Sequence, residues 1–416
     1  MSSHSSEDFD EEVFGPLLSI SESSLVELAA KIQADTPQTN GPPSPESSTG
    51  RLVRRIAGSY NLVHIIELGP DFKLVVRVPA TGWGDGLTPT AAQAIESQVT
   101  TMRLISAKTS IPIPQVYAFD TTTDNTIGAP YICTSFVPGR SLATAWFDTT
   151  VPMPLQDRRL RTLKGLAGCL AQLAQFNFPK IGSIHANGNG GLVIGPCYDW
   201  EEKEDGRVSI NSSGPYDTAA AYMHDHFVAT DEEGVWDRAA TMVTKAAMRF
   251  LPIRNSEGFA LSVPDFDSQN ILVDDSGNIS GIIDWDLVQT VPRCVGYSCY
   301  PGWITRDWDP LVYGGPDEEL ENSPEELEGY RRFYDQALGD AMQRSGDWEF
   351  TRKSHIWEAI WIAALKRVNR LEICCKLVQE ATGDKDGARG IMYDLGSGEG
   401  DWPNLEKEIE AFLSQG

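Results

Sequence analysis

Basic residues are scarce in this chain of 416: 34 Lys and Arg stand against 59 Asp and Glu, a net charge of −25. So acidic a surface repels phosphate backbones and anionic bilayers, which excludes nucleic acid and membrane surfaces as expected partners. A cationic or neutral small molecule is accommodated more easily. Cysteine is sparse too, seven residues without a pairing pattern. An odd, scattered set argues for reduced thiols rather than a disulfide framework, including the adjacent Cys374 and Cys375. Long hydrophobic runs are missing: stretches such as Ile356 to Leu365 are too short and too polar to span a bilayer. The opening MSSHSSEDFDEE is polar and acidic where a secretory leader would be basic and then apolar. These absences together lead to the expectation of a cytoplasmic protein; they leave its oligomeric state open.

The length exceeds one ordinary core, so two lobes are expected. Residues 1–50 read as an acidic, Ser-rich extension with one short helix and a linker. In SLVELAAKIQ, Ser24 and Glu27 have capping-box spacing, and Leu25, Leu28, Ala29 and Ile32 recur at helical period. TPQTNGPPSPESSTG, with few apolar residues, reads as a flexible linker. Residues 51–137 alternate as β-branched strands around the turn GPD, followed by a helix over about Ala91 to Ala107. Ile95, Val99, Met102 and Ile105 form one stripe of that helix. SIPIPQVYAFD and APYICTSFVPG read as further strands, with Pro112 and Pro114 confining the first to an edge or lying at its entry. Residues 138–416 are mainly helical by period, with one clear β feature.

That feature is VPDFDSQNILVDDSGNISGIIDWD, Val263 to Asp286. NILVD and ISGIID flank the turn DSGN as a β-hairpin. Pairing Asp274 with Ile279 puts Asn270 opposite Ile283, next to Asp284, and Asp265 enters the same end from the preceding loop. Asp274 and Asp275 fall at the turn. An amide oxygen and a carboxylate are hard ligands suited to Mg²⁺. A second carboxylate nearby is placed to accept a proton from an attacking hydroxyl.

Asp265, four residues, Asn270 with ILVD and then GIIDWD resembles the core of the aminoglycoside phosphotransferase-like kinases, small-molecule relatives of the protein kinases. GSYN, VVRVP, IESQVTTM and IGAPYICTSFVPG resemble successive parts of the family's small lobe. VGYSCYPGWITRDWDP resembles the subgroup common in filamentous fungi. The resemblance implies an α+β, bilobal, protein-kinase-like fold: a small β-rich N-lobe with one bridging helix and a larger, mainly helical C-lobe carrying the catalytic hairpin. It implies transfer of the ATP γ-phosphate to a small-molecule hydroxyl. Asp265 would be the catalytic base, and Asn270 and Asp284 would hold Mg²⁺. Arg77 would contact the phosphates, Ser59 and Tyr60 would cover them, and the backbone from Ser135 to Val137 would hold the adenine.

Three positions depart from the family pattern. Val263 stands where the loop histidine is usual, and Arg77 stands for lysine. Helical phase turns Gln98 inward where a glutamate pairs with the cation, and leaves Glu96 outside. Gln98 is expected to hydrogen-bond Arg77 without an ion pair. These departures leave open a pseudokinase-like protein that binds nucleotide or a small ligand without transfer, or a repurposed site. Arg306 and Asp307 in ITRDWDP are candidate substrate contacts. His224 and His226 face apart on a helix and read as non-ligands. NGNGG, from Asn187 to Gly191, reads as a loop.

Overall fold

The computed structural model describes residues 6–36, 50–70, 72–227, 234–309, 313 and 321–414. The linker expected over 36–50 lies almost wholly outside them. The chain divides into two compact units. One comprises Met1–Gly139, Gly182–Pro215 and Ser280–Gln289; the other Arg140–Ile181, Tyr216–Ile279 and Thr290–Gly416.

The first unit is built on five antiparallel strands: β1 (Arg51–Ala57), β2 (Asn61–Glu67), β3 (Lys73–Pro79), β4 (Val116–Asp120) and β5 (Tyr131–Ser135). Their order across the sheet is β1-β2-β3-β5-β4. Alternation along β3 sends Leu74, Val76 and Val78 to one face and Val75 and Arg77 to the other. The first face is covered by the N-terminal extension, helices α1 (Ser6–Phe14) and α2 (Glu22–Asp35). Phe14, Leu17, Leu25 and Leu28 are buried against Leu62, Ile66 and Leu74 in one core. Polar contacts pin the same segment: the Trp83 indole donates to the Val13 carbonyl at 3.0 Å, and Arg55 donates to the carbonyls of Leu18 and Ile20. The extension is therefore one layer of this unit. Ser21 caps α2, accepting the Ser24 N–H, so the helix begins a turn before the Ser24–Glu27 pair that suggested its start.

On the other face lies α3 (Pro89–Lys108), capped by Thr88, whose side chain accepts the Ala91 N–H at 3.1 Å. Its expected stripe, Ile95, Val99, Met102 and Ile105, is buried, with Ile95 and Val99 packed on Ile132 of β5. A hairpin of Cys197–Glu202 and Val208–Ser213 joins this unit, and its Tyr198 and Ile210 pack on Ala91 and Ala94. Strong acidity along its exposed face hid this hairpin from hydropathy alternation, so residues 138–416 contain more β structure than Val263–Asp286.

The second unit is mainly helical: Leu155–Leu170, Val235–Met248, Pro324–Ala341, Ser354–Leu365, Arg367–Thr382 and Trp402–Ser414 are its longer segments. Ser323 and Glu326 make a reciprocal capping box at the third of these. Ile271–Val273 pairs antiparallel with Arg140–Ser141. The α+β reading of the sequence holds. No single helix among the described residues is long and apolar enough to cross a membrane, and the free cysteines, Cys374 included, are at least half-buried.

Candidate active site

Asp265 and Asn270 meet in the helical unit. The tight turn Asp265–Asn270 is closed by backbone bonds from Asp267 N–H to the Asp265 carbonyl and from Asn270 N–H to the Asp267 carbonyl. Asn270 Nδ2 donates to the Asp265 carbonyl at 3.0 Å and to Asp265 Oδ2 at 2.8 Å, and Gln269 Nε2 donates to the same Oδ2 at 2.8 Å. Both Asn270 donors' work is thus directed at Asp265, and its Oδ1 is the atom left for an external cation. Asp265 itself is exposed and holds φ at +40°. Beyond it, Asp274 is a turn residue, as expected: its Oδ1 accepts the N–H groups of Ser276 and Asn278 at 2.9 Å each.

Asp265 lines a cavity of about 300 Å³ inside the helical unit, together with Val263, Arg306, Trp308, Asp309 and Glu358. That is enough room for a small organic ligand. Glu358 is pushed up to about 8 by burial, and burial lowers the neighbouring His355 imidazole to about 3. Both therefore present uncharged polar groups at neutral pH. Arg306 reaches this cavity, 3.8 Å from Asp267. Asp307 is not among its lining residues. It forms a two-pronged pair with Arg331, at 2.6 and 3.0 Å, with side chains only 9% and 6% exposed.

The other candidates lie in the sheet-bearing unit. Arg77 Nη2 is 2.9 Å from Asp284 Oδ1 and 3.1 Å from Asp286. Gln98 is buried on the inner side of α3, as its helical phase required, and Glu96 is exposed. Gln98 Nε2 donates to Asp286 Oδ1 at 2.6 Å, so the expected Gln98–Arg77 bond is replaced by a carboxylate that accepts from both. Asn61 Nδ2 also donates to Asp286. Burial raises the Asp286 carboxyl to about 6 against the pull of Arg77. Burial opposes the Asp284 charge too, but Arg77 outweighs it and holds that carboxyl below its ordinary value. Asp286 had no role in the sequence reading. Its partners lie on β2, β3 and α3, so no local spacing could reveal them.

Ser59 and Tyr60 occupy the turn between β1 and β2, where Gly58 N–H donates to the Asn61 carbonyl. The Tyr60 ring stacks on Trp200 with centroids 4.5 Å apart and planes 8° from parallel, and its hydroxyl donates to Glu202 at 2.8 Å. Burial, with help from Glu202, pushes that phenol up to about 12. Ser135 ends β5; its N–H donates to the Gln115 carbonyl and its hydroxyl accepts the Gln115 N–H. Val137 follows, half-buried.

The chain is similar to known proteins along most of its length. The Subtelomeric hrmA-associated cluster protein of Aspergillus fumigatus is 30% identical over 134 residues, which is 32% of this chain and 24% of that protein. The Clavilactone A biosynthesis cluster protein Y of Ampulloclitocybe clavipes is 24% identical over 282 residues, 64% of this chain and 66% of that one. The chain thus spans only about a quarter of the first relative's length. Among solved structures, a putative aminoglycoside phosphotransferase of Ralstonia eutropha JMP134 is 14% identical with a TM-score of 0.46, covering 93% of this chain and 97% of that one. The profile of the phosphotransferase enzyme family matches residues 52–330, well over half of the chain. The protein belongs to that family, the aminoglycoside phosphotransferase-like group that the hairpin motif resembled.

Proposed function

We propose that the protein transfers the γ-phosphate of ATP to a hydroxyl group of a small molecule. The observation that carries this reading is Asp265: a carboxylate oriented by Asn270 and Gln269 on the wall of a 300 Å³ cavity. A carboxylate so held can accept the proton of a bound hydroxyl as it attacks.

Each residue, within its own unit, carries a donor of the kind a magnesium nucleotide takes. Asn270 keeps its amide nitrogen on Asp265 and offers an oxygen, and Asp284 keeps its side chain 34% exposed beside Arg77. One amide and one carboxylate suit Mg²⁺, which takes its remaining ligands from phosphates and water. When bound, the ion would neutralise charge on the transferring phosphoryl group. Arg77 would contact the phosphates, Val137 and Ser135 would edge the adenine site, and Asp265 would orient and deprotonate the acceptor. Arg306, on the cavity wall, is a candidate contact for that acceptor. With a net charge of −25, the chain favours a cationic or neutral one. Val263, in place of the loop histidine and also on the cavity wall, favours the second reading: a binding protein without transfer.

The test has two stages. Thermal unfolding with millimolar ATP, with and without MgCl₂, should show stabilisation; a ligand at about 100 times its Kd adds about 2.7 kcal/mol. Phosphate transfer is then sought over a panel of amino-sugars, amino alcohols and natural-product alcohols, with Asp265→Asn as control. Loss of turnover with nucleotide binding retained supports the reading. Turnover unchanged in Asp265→Asn removes its basis, and binding without any transfer selects the second reading.

A further inference from the structure

Arg77 is a guanidinium with a 16% exposed side chain, and a cation so placed needs a fixed counter-charge. α3 supplies none: Gln98 faces inward as an amide, and Glu96 is exposed. The charge comes from the segment after the hairpin. Asp284 and Asp286 both reach Arg77, at 2.9 and 3.1 Å. Trp285 between them turns the other way, fully buried, with its indole N–H on the Ile282 carbonyl.

The two carboxylates are not equivalent. Asp284 is 34% exposed, and its carboxylate accepts from Arg77 and from the Asp286 backbone N–H. Asp286 is 15% exposed and accepts from three elements at once: Arg77 on β3, Gln98 on α3 and Asn61 on β2. A cavity of only about 20 Å³, room for roughly one water, adjoins the group. Asp286 therefore cannot swing away without leaving the Gln98 and Asn61 amides unpaired, whereas Asp284, in turning to a cation, gives up the Asp286 contact and an Arg77 contact that Asp286 still provides.

We propose that Asp286 is the positioning residue for Arg77: a carboxylate on the metal-ligand segment does here the work of a helix glutamate, and Gln98 and Asn61 hold that carboxylate in place. The assignment rests on the reading of Arg77 as a phosphate contact. It divides the acidic pair by task. Asp284 would be the carboxylate free to hold a metal ion, and Asp286 would keep Arg77 aimed.

A charge-relocation cycle tests this, with ATP and MgCl₂ titrated calorimetrically into the full chain. Asp286→Asn should weaken binding about tenfold or more, through loss of a charged partner. Gln98→Glu should also weaken it, because it sets a second carboxylate against Asp286. The double variant Gln98→Glu/Asp286→Asn moves the single charge to the helix and should recover most of the lost affinity. A residue with only a structural role gives no such rescue. Wild-type affinity in Asp286→Asn, or a double variant no better than the weaker single one, overturns the proposal. Should Asp286→Asn fail to fold, Asn61→Ala removes one orienting donor and leaves every charge in place. It should weaken binding about threefold, and unchanged affinity there is equally decisive against the proposal. A wild-type protein that ignores ATP and Mg²⁺ altogether overturns the nucleotide reading itself, and this assignment with it.

Discussion

Asp265 and Asp284 share a backbone conformation that is rare outside glycine: φ is +40° at the first and +64° at the second. Left-handed φ crowds Cβ against the following carbonyl, and Asp and Asn tolerate it better than other L-residues. That both proposed site carboxylates adopt it fits the tendency of strained backbone to collect where side-chain direction matters. The strain predicts an inverted rank order. Asp265→Gly should be more stable than Asp265→Ala by about 1 kcal/mol in urea unfolding, although alanine is ordinarily the less costly replacement. Asp265→Asn should be the most stable of the three, since it keeps local hydrogen bonding. An alanine variant as stable as the glycine one would show that the φ value carries no cost.

Asn270 depends on its amide nitrogen as much as on its oxygen. Nδ2 spans the Asp265 carbonyl and Oδ2, both acceptors. Asn270→Asp is nearly isosteric and would supply one more metal-binding oxygen, yet it removes the donor and sets two carboxylates together. Unfolding at pH 7 should find it less stable than Asn270→Ala by about 1 kcal/mol. Equal stabilities would mean that the Asp265 contact contributes nothing to the loop.

How far these parts could be read from sequence depends on the range of the interactions. Asp265 and Asn270 are five residues apart in one turn, so spacing alone brought them together. Gln98 could be placed inward because α3 has a strong apolar stripe that fixes its phase. Asp286 lies in a long-range network, and its nearest sequence neighbours carry no trace of Asn61 or Gln98. The same limit applies to the extension. Leu25, Leu28 and Ile32 announced a helix, but not that Phe14, Leu17 and the helix together roof the sheet. Its polar, acidic start hid an apolar contact face. Of the neighbours Arg306 and Asp307 only Arg306 lines the cavity of Asp265, because adjacency in sequence says nothing about which way each side chain turns.

His64 gives the fold a pH dependence. It points into the sheet core among Leu62, Ile66 and Val76, fully buried, and burial with the nearby Arg55 cation lowers its imidazole to about 4. The unfolded chain takes up that proton near pH 6.5 and the folded one near 4. Between those values the unfolded state binds more protons, so stability falls as pH falls, with a slope approaching ~1.4 kcal/mol per pH unit. Above pH 6.5 the contribution vanishes. Carboxylates elsewhere also respond to acid, so the comparison is with His64→Leu, which removes the titrating group and keeps an apolar side chain. Urea unfolding of both proteins from pH 7 to 4.5 should show wild type losing stability faster than the variant. Parallel curves would place the imidazole's pKa near its ordinary value.

Arg306 and Asp307 should separate when each is replaced by alanine. Asp307 forms a buried bidentate pair with Arg331, which also donates to the Ile304 carbonyl. Removing the carboxylate takes two charge-assisted bonds from a guanidinium with 6% of its side chain exposed and leaves it only the more exposed Glu328 at 3.2 Å as counter-charge, a change that costs about 1.5–3 kcal/mol. Asp307→Ala should therefore unfold at much lower urea, while the surviving folded protein keeps its KM for the acceptor. Arg306→Ala should do the reverse: with 30% of its side chain exposed on the cavity wall, it changes stability little and alters the acceptor KM. Stability and steady-state KM measured on the two variants side by side decide the matter. A large KM change in Asp307→Ala, with stability intact, would return that residue to the substrate site.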